Sequence, residues 1–321
     1  MIKHFLLALL LLLPLGSYAD AEQELQAFIK EMISKHGFDE QSLHKAFAST
    51  KVSQSILKAM SRPAEKLEWY QYRPIFLKQA RIDGGVKFWQ KHKQVLEKAE
   101  QEFGVPAEII IAIIGVETRF GQYKGKYRVL DALMTLGFHY PKRAKFFKSE
   151  LEQFLLLARE QNVDPLSIYG SYAGAMGIPQ FISSSYRHYA IDFDNDGKID
   201  LWNNINDAIG SVANYFVEHG WKQGEEVVKT ANVSGDAYQA ILEKGYKPHT
   251  SYASMKDANI TTLESLDENE TVSLIELKQK NSNDYWLVLK NFYAITRYNH
   301  SPLYAMAVYQ LSQEIKQAYQ Q

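Results

Sequence analysis

The 321-residue chain contains no cysteine. This absence excludes disulfides, thiolate metal sites and a lipid anchor on a cysteine, so the stability of the protein has to come from packing. The chain also lacks an excess of either charge, with 36 Lys and Arg against 37 Asp and Glu. A balance this close to neutral gives no electrostatic reason to expect nucleic acid or a strongly anionic polymer as partner.

The longest apolar run lies at the N-terminus. Residues 5–15 are almost all apolar and follow a short basic start, and small residues at 16–19 precede Asp20. This pattern predicts a secretory signal peptide in residues 1–19, cut after Ala19. The run is too short for a comfortable membrane span, and an uncleaved anchor is the alternative. We therefore expect an exported protein without a stable membrane span.

Apolar spacing predicts helices over most of the chain up to about residue 221. The clearest amphipathic segments cover 22–36, 82–103 and 144–161. These helices predict a mainly α (α+β) fold.

The pattern changes between residues 225 and 290. Two strand-like segments at 272–277 and 285–289 flank a predicted hairpin loop at 281–284. Residues 304–319 are helical again, and we expect them to pack back on the N-terminal helices. The sequence thus predicts a small β insertion within an α-helical protein.

One carboxylate lies in apolar surroundings. Glu117 is near the end of a run from Val105 to Gly121 that is apolar on every side, which predicts a buried helix ending at Gly121. Burial disfavours a charged carboxylate and raises its pKa, and an acid that stays protonated near neutral pH can act as a general acid. The alternative is that Glu117 pairs with Arg119 and touches solvent.

A second segment has the spacing of an EF-hand calcium loop. Three carboxylates take its first, third and fifth positions: Asp192, Asp194 and Asp196. The match fails at position twelve, where Asn203 replaces the expected Glu, and a looped-out path would let Asp207 supply the missing ligand. The alternative is a solvated acidic turn without metal, but three clustered carboxylates would then repel one another.

Residues 169–181 are rich in glycine and alanine, which permits close backbone approach. Ser171 and Gln180 in this segment are candidate contacts for a ligand that carries amides and hydroxyls. Tight packing by small residues is the alternative explanation.

Together these segments resemble the membrane-bound lytic murein transglycosylase B family. The resemblance is carried, in chain order, by residues 69–74, 116–121, 170–181, 192–216 and 295–308. Each motif alone is weak, but the set in this order is specific and covers essentially the whole mature chain.

The resemblance implies a lysozyme-like catalytic core of the goose type over residues 99–223, which includes the EF-hand-like loop 192–207. It implies an α-helical domain formed by residues 20–98 and about 295–321. It also implies a small β domain over residues 224–294.

The resemblance further implies that Glu117 is the catalytic acid. It implies seven residues along the substrate groove: Tyr72, Ser171, Gln180, Tyr215, Tyr298, Asn299 and Tyr304. It implies a structural Ca²⁺ on five residues, one of them through its carbonyl oxygen: Asp192, Asp194, Asp196, Lys198 and Asp207. Two features depart from the family, because the lipobox cysteine is missing and Asp194 stands where some relatives have serine. No organic cofactor is expected.

The activity that the resemblance implies is cleavage, in the periplasm and by a monomer, of the β-1,4 bond between N-acetylmuramic acid and N-acetylglucosamine in peptidoglycan. Ordinary glycosidases use two carboxylates, but no acidic partner is marked near Glu117, and Asp131 is only the nearest downstream acid. Glu117 would then protonate the glycosidic oxygen, and the 2-acetamido group would stabilise the developing charge. The same Glu117 would deprotonate the C6 hydroxyl and give a 1,6-anhydro product.

Two other functions stay open at this point. A hydrolytic muramidase would use the same groove, with water in place of the C6 hydroxyl. A non-catalytic peptidoglycan-binding protein would bind sacculi and release nothing. Cell-wall synthases and division proteins stay open as protein partners, whereas nucleic acid is not expected.

Overall fold

The computed structural model describes residues 16–61 and 67–321, with side chains from residue 20 onwards. The signal peptide predicted in residues 1–19 lies almost entirely outside this range. The backbone of its final residues belongs to the first helix, α1 (Gly16–His36). Within the described part of the chain, no helix combines the length and the apolar character that crossing a membrane requires.

Helices make up most of the structure, as predicted. The N-terminal half contains α1, α2 (Glu40–Ala48), α3 (Gln54–Met60), α4 (Trp69–Phe76), α5 (Gln79–Phe103), α6 (Ala107–Thr118), α7 (Val129–His139) and α8 (Ala144–Glu160). The remaining helices are α9 (Ser183–Tyr189), α10 (Ile205–Glu218), α11 (Tyr238–Leu242), α12 (Tyr252–Asp257), α13 (Lys290–Tyr298) and α14 (Pro302–Gln320). A 3₁₀ turn at Pro141–Arg143 leads into α8.

Helix α6 lies at the centre of the first hydrophobic core. Every residue from Ile109 to Ile114 is at most 2% exposed, which confirms the prediction of a buried helix. Helices α5, α10 and α14 pack around it. The close contact between α5 and α14 depends on Gly85, because a Cβ at this position would lie 2.4 Å from Ile315.

A second core forms where α1, α2 and α3 pack against α7 and α8. Its largest buried side chains include Phe28, Phe47, Phe147 and Phe154. Helix α8 presents one apolar face to this core, as its amphipathic pattern predicts. The predicted domain boundary at residue 98 falls inside α5, and the assignment of residues to domains stays a prediction.

The β part is one antiparallel sheet in the order β4-β6-β7-β3-β5. Its strands are β3 (Val228–Val233), β4 (Thr250–Ser251), β5 (Ile260–Thr261), β6 (Thr271–Lys278) and β7 (Asn283–Val288). The hairpin between β6 and β7 is present, but the predicted loop at 281–284 was placed wrongly. Asn283 and Asp284 pair with Lys278 and Leu277, so the turn covers residues 279–282.

A separate two-stranded ribbon joins β1 (Tyr127–Arg128) and β2 (Tyr169–Gly170). It brings the glycine-rich segment after β2 next to the chain that follows α6. Gly125 has φ +97°, and a Cβ there would lie 2.0 Å from the Gly170 carbonyl carbon. Only glycine permits this approach, which fixes the position of Ser171 at the end of β2.

Candidate active site

The C-terminal end of α6 is a tight reversal. The helix ends at Thr118 rather than at Gly121 as predicted, because Arg119, Phe120 and Gly121 all have positive φ, at 50°, 63° and 83°. The Thr118 hydroxyl donates to the Ile178 carbonyl at 2.8 Å and accepts from the Gly121 N–H at 2.9 Å. Thr118 therefore holds the reversal closed and ties α6 to the segment that contains Ser171 and Gln180.

Glu117 lies just before this reversal and is only partly exposed. Tyr304 of α14 donates a hydrogen bond of 2.6 Å from its hydroxyl to Glu117 Oε1. Burial raises the pKa of Glu117 to about 7, while the bond from Tyr304 opposes that rise. The expected alternative, an ion pair with Arg119, is not formed within the described residues.

Acidic side chains near Glu117 in sequence point to other partners. Asp131 forms an ion pair of 2.6 Å with Arg128 of β1. Glu108 lies at the opposite end of α6 and bonds Lys316 at 2.8 Å. Among residues 16–61 and 67–321, Tyr304 is the hydrogen-bond partner of the Glu117 carboxylate, and no second carboxylate contributes to its pKa.

Three of the predicted groove tyrosines cluster around Glu117. Tyr298 donates to the Pro179 carbonyl at 2.5 Å, and burial followed by the charge of Glu117 raises its pKa. The same two causes raise the pKa of Tyr304. The neighbouring Tyr72 raises it further through a smaller electrostatic contribution. Tyr72 packs at 5.1 Å from Phe76, ring centroid to ring centroid. The result is an aromatic wall next to the acid.

Tyr215 and Asn299 occupy different environments. Tyr215 is 6% exposed, and its hydroxyl donates to the Arg297 carbonyl at 2.6 Å. Its ring stacks on His219 at 3.9 Å and lies 4.9 Å from Tyr298. Tyr215 thus supports the aromatic wall from behind. Asn299 is exposed where α13 ends.

The side chains of Ser171 and Gln180 form hydrogen bonds with backbone groups. Each side chain keeps one further group that can form a hydrogen bond with a ligand. Ser171 Oγ accepts from the N–H groups of Ala173 at 3.2 Å and Ala175 at 3.0 Å. Gln180, at φ +54°, uses its amide hydrogens on the carbonyls of Lys124 and Gly177. Among the described residues, the Ser171 hydroxyl hydrogen and Gln180 Oε1 have no protein partner. Ser171 can therefore donate, and Gln180 can accept, a hydrogen bond from a ligand.

The aspartate loop follows α9 and turns at Gly197. Oxygens of three carboxylates lie within 4.8 Å of one another in this part of the described chain: Asp192, Asp194 and Asp196. Asp192 accepts from the N–H groups of Asp196 and Gly197, which folds the loop. This donor set consists of hard oxygen atoms on a tight turn, and it suits Ca²⁺. The carbonyl of Lys198 belongs to the same turn, and the Lys198 N–H bonds Asp196 at 2.9 Å.

Asp207 closes this loop instead of joining the three-carboxylate group. Its two oxygens accept from the N–H groups of Phe193 at 2.9 Å and Asp200 at 2.8 Å. It is fully buried, and burial raises its pKa. The role of Asp207 as a calcium ligand stays a prediction, and each of its oxygens keeps a lone pair with which it could bind a cation.

Two residues of this region were not predicted. Thr118 positions the end of α6. In the sequence, the only indication of this role is that Thr118 lies between Glu117 and Gly121. Lys124 presents its carbonyl to Gln180 and donates from Nζ to the Trp202 carbonyl at 2.5 Å. No pattern in the sequence identifies Lys124, because its role depends on contacts 56 and 78 residues away.

Residues 20–313 match the family described as Transglycosylase SLT domain. The match covers most of the chain. The chain belongs to this family. A curated relative in this family, membrane-bound lytic murein transglycosylase B of Escherichia coli K12, is 45% identical over 300 residues, which are 90% of this chain and 82% of the relative.

Solved transglycosylases have the same fold. Soluble lytic transglycosylase SltB1 of Pseudomonas aeruginosa is 51% identical with a TM-score of 0.87, over 93% of this chain and 100% of SltB1. Escherichia coli Slt35, solved in complex with calcium, is 46% identical with a TM-score of 0.85, over 94% of each chain. SltB3 of P. aeruginosa, solved with NAG-anhNAM-pentapeptide, is 29% identical with a TM-score of 0.81, over 92% of this chain and 80% of SltB3. The lysozyme-like fold class is thereby confirmed.

Proposed function

We propose that this chain, a lytic transglycosylase acting on peptidoglycan, cleaves the β-1,4 bond between N-acetylmuramic acid and N-acetylglucosamine with Glu117 as its single acid and base. The observation that carries the proposal is the environment of Glu117. Its pKa of about 7 keeps a large part of it protonated near neutral pH, and Tyr304 fixes its orientation. It can therefore donate a proton to the glycosidic oxygen.

The absence of a second carboxylate near Glu117 in the described residues supports a substrate-assisted reaction. Glycosidases that hydrolyse through two carboxylates keep them about 5–10 Å apart on either side of the bond. Here the muramyl 2-acetamido oxygen takes the place of the second carboxylate and stabilises the positive charge that develops at C1. Ser171, whose hydroxyl hydrogen has no acceptor among the described residues, donates to the acetamido group and orients it.

In the second half of the reaction Glu117 is a carboxylate and accepts the proton of the C6 hydroxyl of the same sugar. The C6 oxygen attacks C1, which closes the 1,6-anhydro ring, and no water is consumed. The aromatic wall of Tyr72, Tyr298 and Tyr304 supports this outcome because it limits the access of water to Glu117. Gln180 holds a sugar hydroxyl through Oε1, and Asn299 contacts the glycan at the open side. Tyr215 packs against Tyr298 on the side away from the substrate and holds the Tyr298 ring in position.

A structural Ca²⁺ fits the aspartate loop. Asp192, Asp194 and Asp196 would hold it together with the Lys198 carbonyl, and Asp207 would complete the site while it anchors the loop. The relative Slt35 was solved with calcium, which supports this assignment. The ion would stabilise the loop, with no part in bond cleavage. No organic cofactor takes part in the proposed reaction.

The proposed setting is the periplasm, where an exported monomer would act on glycan strands. Its domains would be the α-helical part (20–98 and about 295–321), the lysozyme-like core (99–223) and the β domain (224–294). The signal peptide predicted in residues 1–19 supports export.

Mass spectrometry of digested sacculi tests the reaction. The native protein should release muropeptides with anhydro ends, which are lighter by one water than the reducing ends that a hydrolase leaves. Glu117→Gln should release nothing while it keeps the circular-dichroism spectrum of the native protein. Reducing ends would establish the hydrolytic muramidase instead. Sacculus binding without any soluble product would establish the non-catalytic alternative.

A further inference from the structure

Two arginines lie close together where the end of α6 meets α5. Arg119 is exposed and occupies the first position of the reversal after α6. The next residue, Phe120, packs so closely on α5 that a Cβ at Gly84 would lie 2.7 Å from its ring. Arg81 is three residues before Gly84, on the same face of α5. Desolvation and then the charge of Arg119 lower the pKa of Arg81, as two neighbouring guanidinium groups require.

In the part of the chain that the structure describes, no acid neutralises this pair. Among residues 16–61 and 67–321, neither arginine forms an ion pair within 4 Å. Arg81 lies over the Phe76 ring at 5.3 Å, and its buried Nη1 has no hydrogen-bond partner. Asp83, the nearest acid in sequence on α5, accepts from Gln79 at 2.8 Å. Arg119 lies over the Tyr123 ring at 4.9 Å, so an aromatic ring and not an acid is its recorded side-chain contact. Two guanidinium groups close together with no acid paired to either among the described residues are unfavourable, so the arrangement indicates a binding site for an anion.

The pair borders the active site on two sides. Arg119 is two residues beyond Glu117 in the reversal that Thr118 closes. Arg81 contacts Phe76, which packs at 5.1 Å from Tyr72 of the aromatic wall. An anion bound by the two arginines would therefore lie next to Glu117 and the aromatic wall, where the proposed function requires the glycan to bind.

The substrate class identifies the anion, and this step depends on the proposed function. The glycan of peptidoglycan is uncharged, whereas the peptide stems on its muramyl residues carry carboxylates. A guanidinium group matches a carboxylate with two parallel N–H···O bonds. We propose that Arg81 and Arg119 bind a carboxylate of the peptide stem and so select glycan strands whose stems are present and unmodified.

Binding to the inactive Glu117→Gln protein tests the proposal without dependence on the chemistry of cleavage. Two glycan fragments of equal length are compared by titration calorimetry, one with free stem carboxylates and one with these carboxylates amidated. The free form should bind about tenfold more tightly, as loss of one charge-assisted hydrogen-bonded pair predicts. Adding Arg119→Gln or Arg81→Gln should bring the ratio of the two Kd values close to one.

Arg159→Gln is the matched control. Arg159 also lies over an aromatic ring, that of Phe38 at 4.3 Å, but it is on the last turn of α8 and donates to the His36 carbonyl. It should leave the tenfold ratio unchanged. Thermal unfolding identifies any arginine variant that fails to fold, and Arg119→Lys then provides a second version, which keeps the charge but loses the two parallel bonds.

Equal affinity for the two fragments, or a tenfold ratio that survives both arginine substitutions, would overturn the proposal. A loss of affinity by the same factor for both fragments would do so too, since it would assign the arginines a purely structural role. An error in the proposed reaction would appear elsewhere, as reducing ends in the product analysis of the native protein, while the Kd ratio would be unaffected.

Discussion

Tyr304 holds Glu117 in place through a 2.6 Å hydrogen bond from its hydroxyl to Oε1. The bond favours the ionised carboxylate, whereas burial disfavours it, and burial is the larger effect. Glu117 consequently has a pKa of about 7, between the values that a pure acid and a pure base would need. That balance suits a group that first donates a proton and then accepts one.

Tyr304→Phe should move the pH profile. Removing a bond that lowers the pKa of Glu117 raises that pKa, so the alkaline limb of kcat/KM should shift to higher pH. The maximum of kcat should fall about tenfold, because the carboxyl group loses its orientation. The pH dependence of kcat and of kcat/KM on isolated glycan strands measures both effects. Tyr309→Phe, also on α14, serves as the control and should leave the profile in place. An unshifted alkaline limb in Tyr304→Phe would contradict this account.

Glu117 should also cost stability at alkaline pH. Its pKa rises from 4.5 to about 7 on folding, so the native state binds more protons than the unfolded state between these values. The free energy of unfolding therefore falls as pH increases from about 4.5 to 7, by a total of about 3 kcal/mol. Glu117→Gln removes this loss and should stabilise the protein at pH 8 but hardly at pH 4.

Urea unfolding of the native and Glu117→Gln proteins at the two pH values provides the measurement. The comparison within each pH cancels the titration of all other groups. If the free energy of unfolding changes with pH by the same amount in the two proteins, the Glu117 carboxyl group is not buried in the native state.

Thr118→Val should damage both stability and turnover. The substitution keeps the shape of the side chain but leaves the Ile178 carbonyl and the Gly121 N–H without their partner. Loss of these buried bonds should lower the free energy of unfolding by about 2 kcal/mol and lower kcat by loosening the segment that carries Ser171. Thr118→Ser keeps the hydroxyl and should retain most of the activity. Denaturant unfolding and steady-state kinetics distinguish the two variants. If both variants have the same stability and the same kcat, the hydroxyl of Thr118 does not position the active site.

Calcium should stabilise the protein, and the aspartates should differ in how they contribute. Added Ca²⁺ should raise Tm and a chelator should reverse the change. Asp194→Asn should abolish the response to Ca²⁺ yet cost little in its absence, since it reduces repulsion among the three carboxylates. Asp207→Asn should lower Tm even with chelator present, because Asp207 closes the loop onto Phe193 and Asp200. Scanning calorimetry with and without Ca²⁺ tests all three statements, and a Tm indifferent to Ca²⁺ would rule out the metal site.

The features that follow from local pattern could be predicted from the sequence. A run of residues that is apolar on every side of the helix predicted α6 and, with it, the raised pKa of Glu117. Aspartates at alternate positions predicted the loop at residues 192–207. The end of α6 was predicted wrongly because glycine is the usual residue at positive φ, and here Arg119 and Phe120 adopt that region first. Tertiary contacts override the local preference: Phe120 fills the space above Gly84 and Gly115.

Features that depend on distant contacts could not be predicted from residue patterns. The ribbon of β1 and β2 has two residues in each strand, too few for any periodic signal. Tyr304 was assigned to the groove by resemblance alone, because nothing in α14 indicates which tyrosine meets Glu117. The pairing of Arg81 with Arg119 likewise results from how α5 lies against α6, and the sequence shows only two separated arginines.

The hydrogen bond between Tyr304 and Glu117 closes a loop of 187 positions, and the whole β sheet lies within that loop. Contacts so distant in sequence form late, after local helices have already appeared. In a growing or partly folded chain, Glu117 would therefore lack the hydrogen bond from Tyr304 that orients it. Cutting activity should therefore appear only when the final tertiary structure is reached, so that an incompletely folded molecule should be harmless to peptidoglycan.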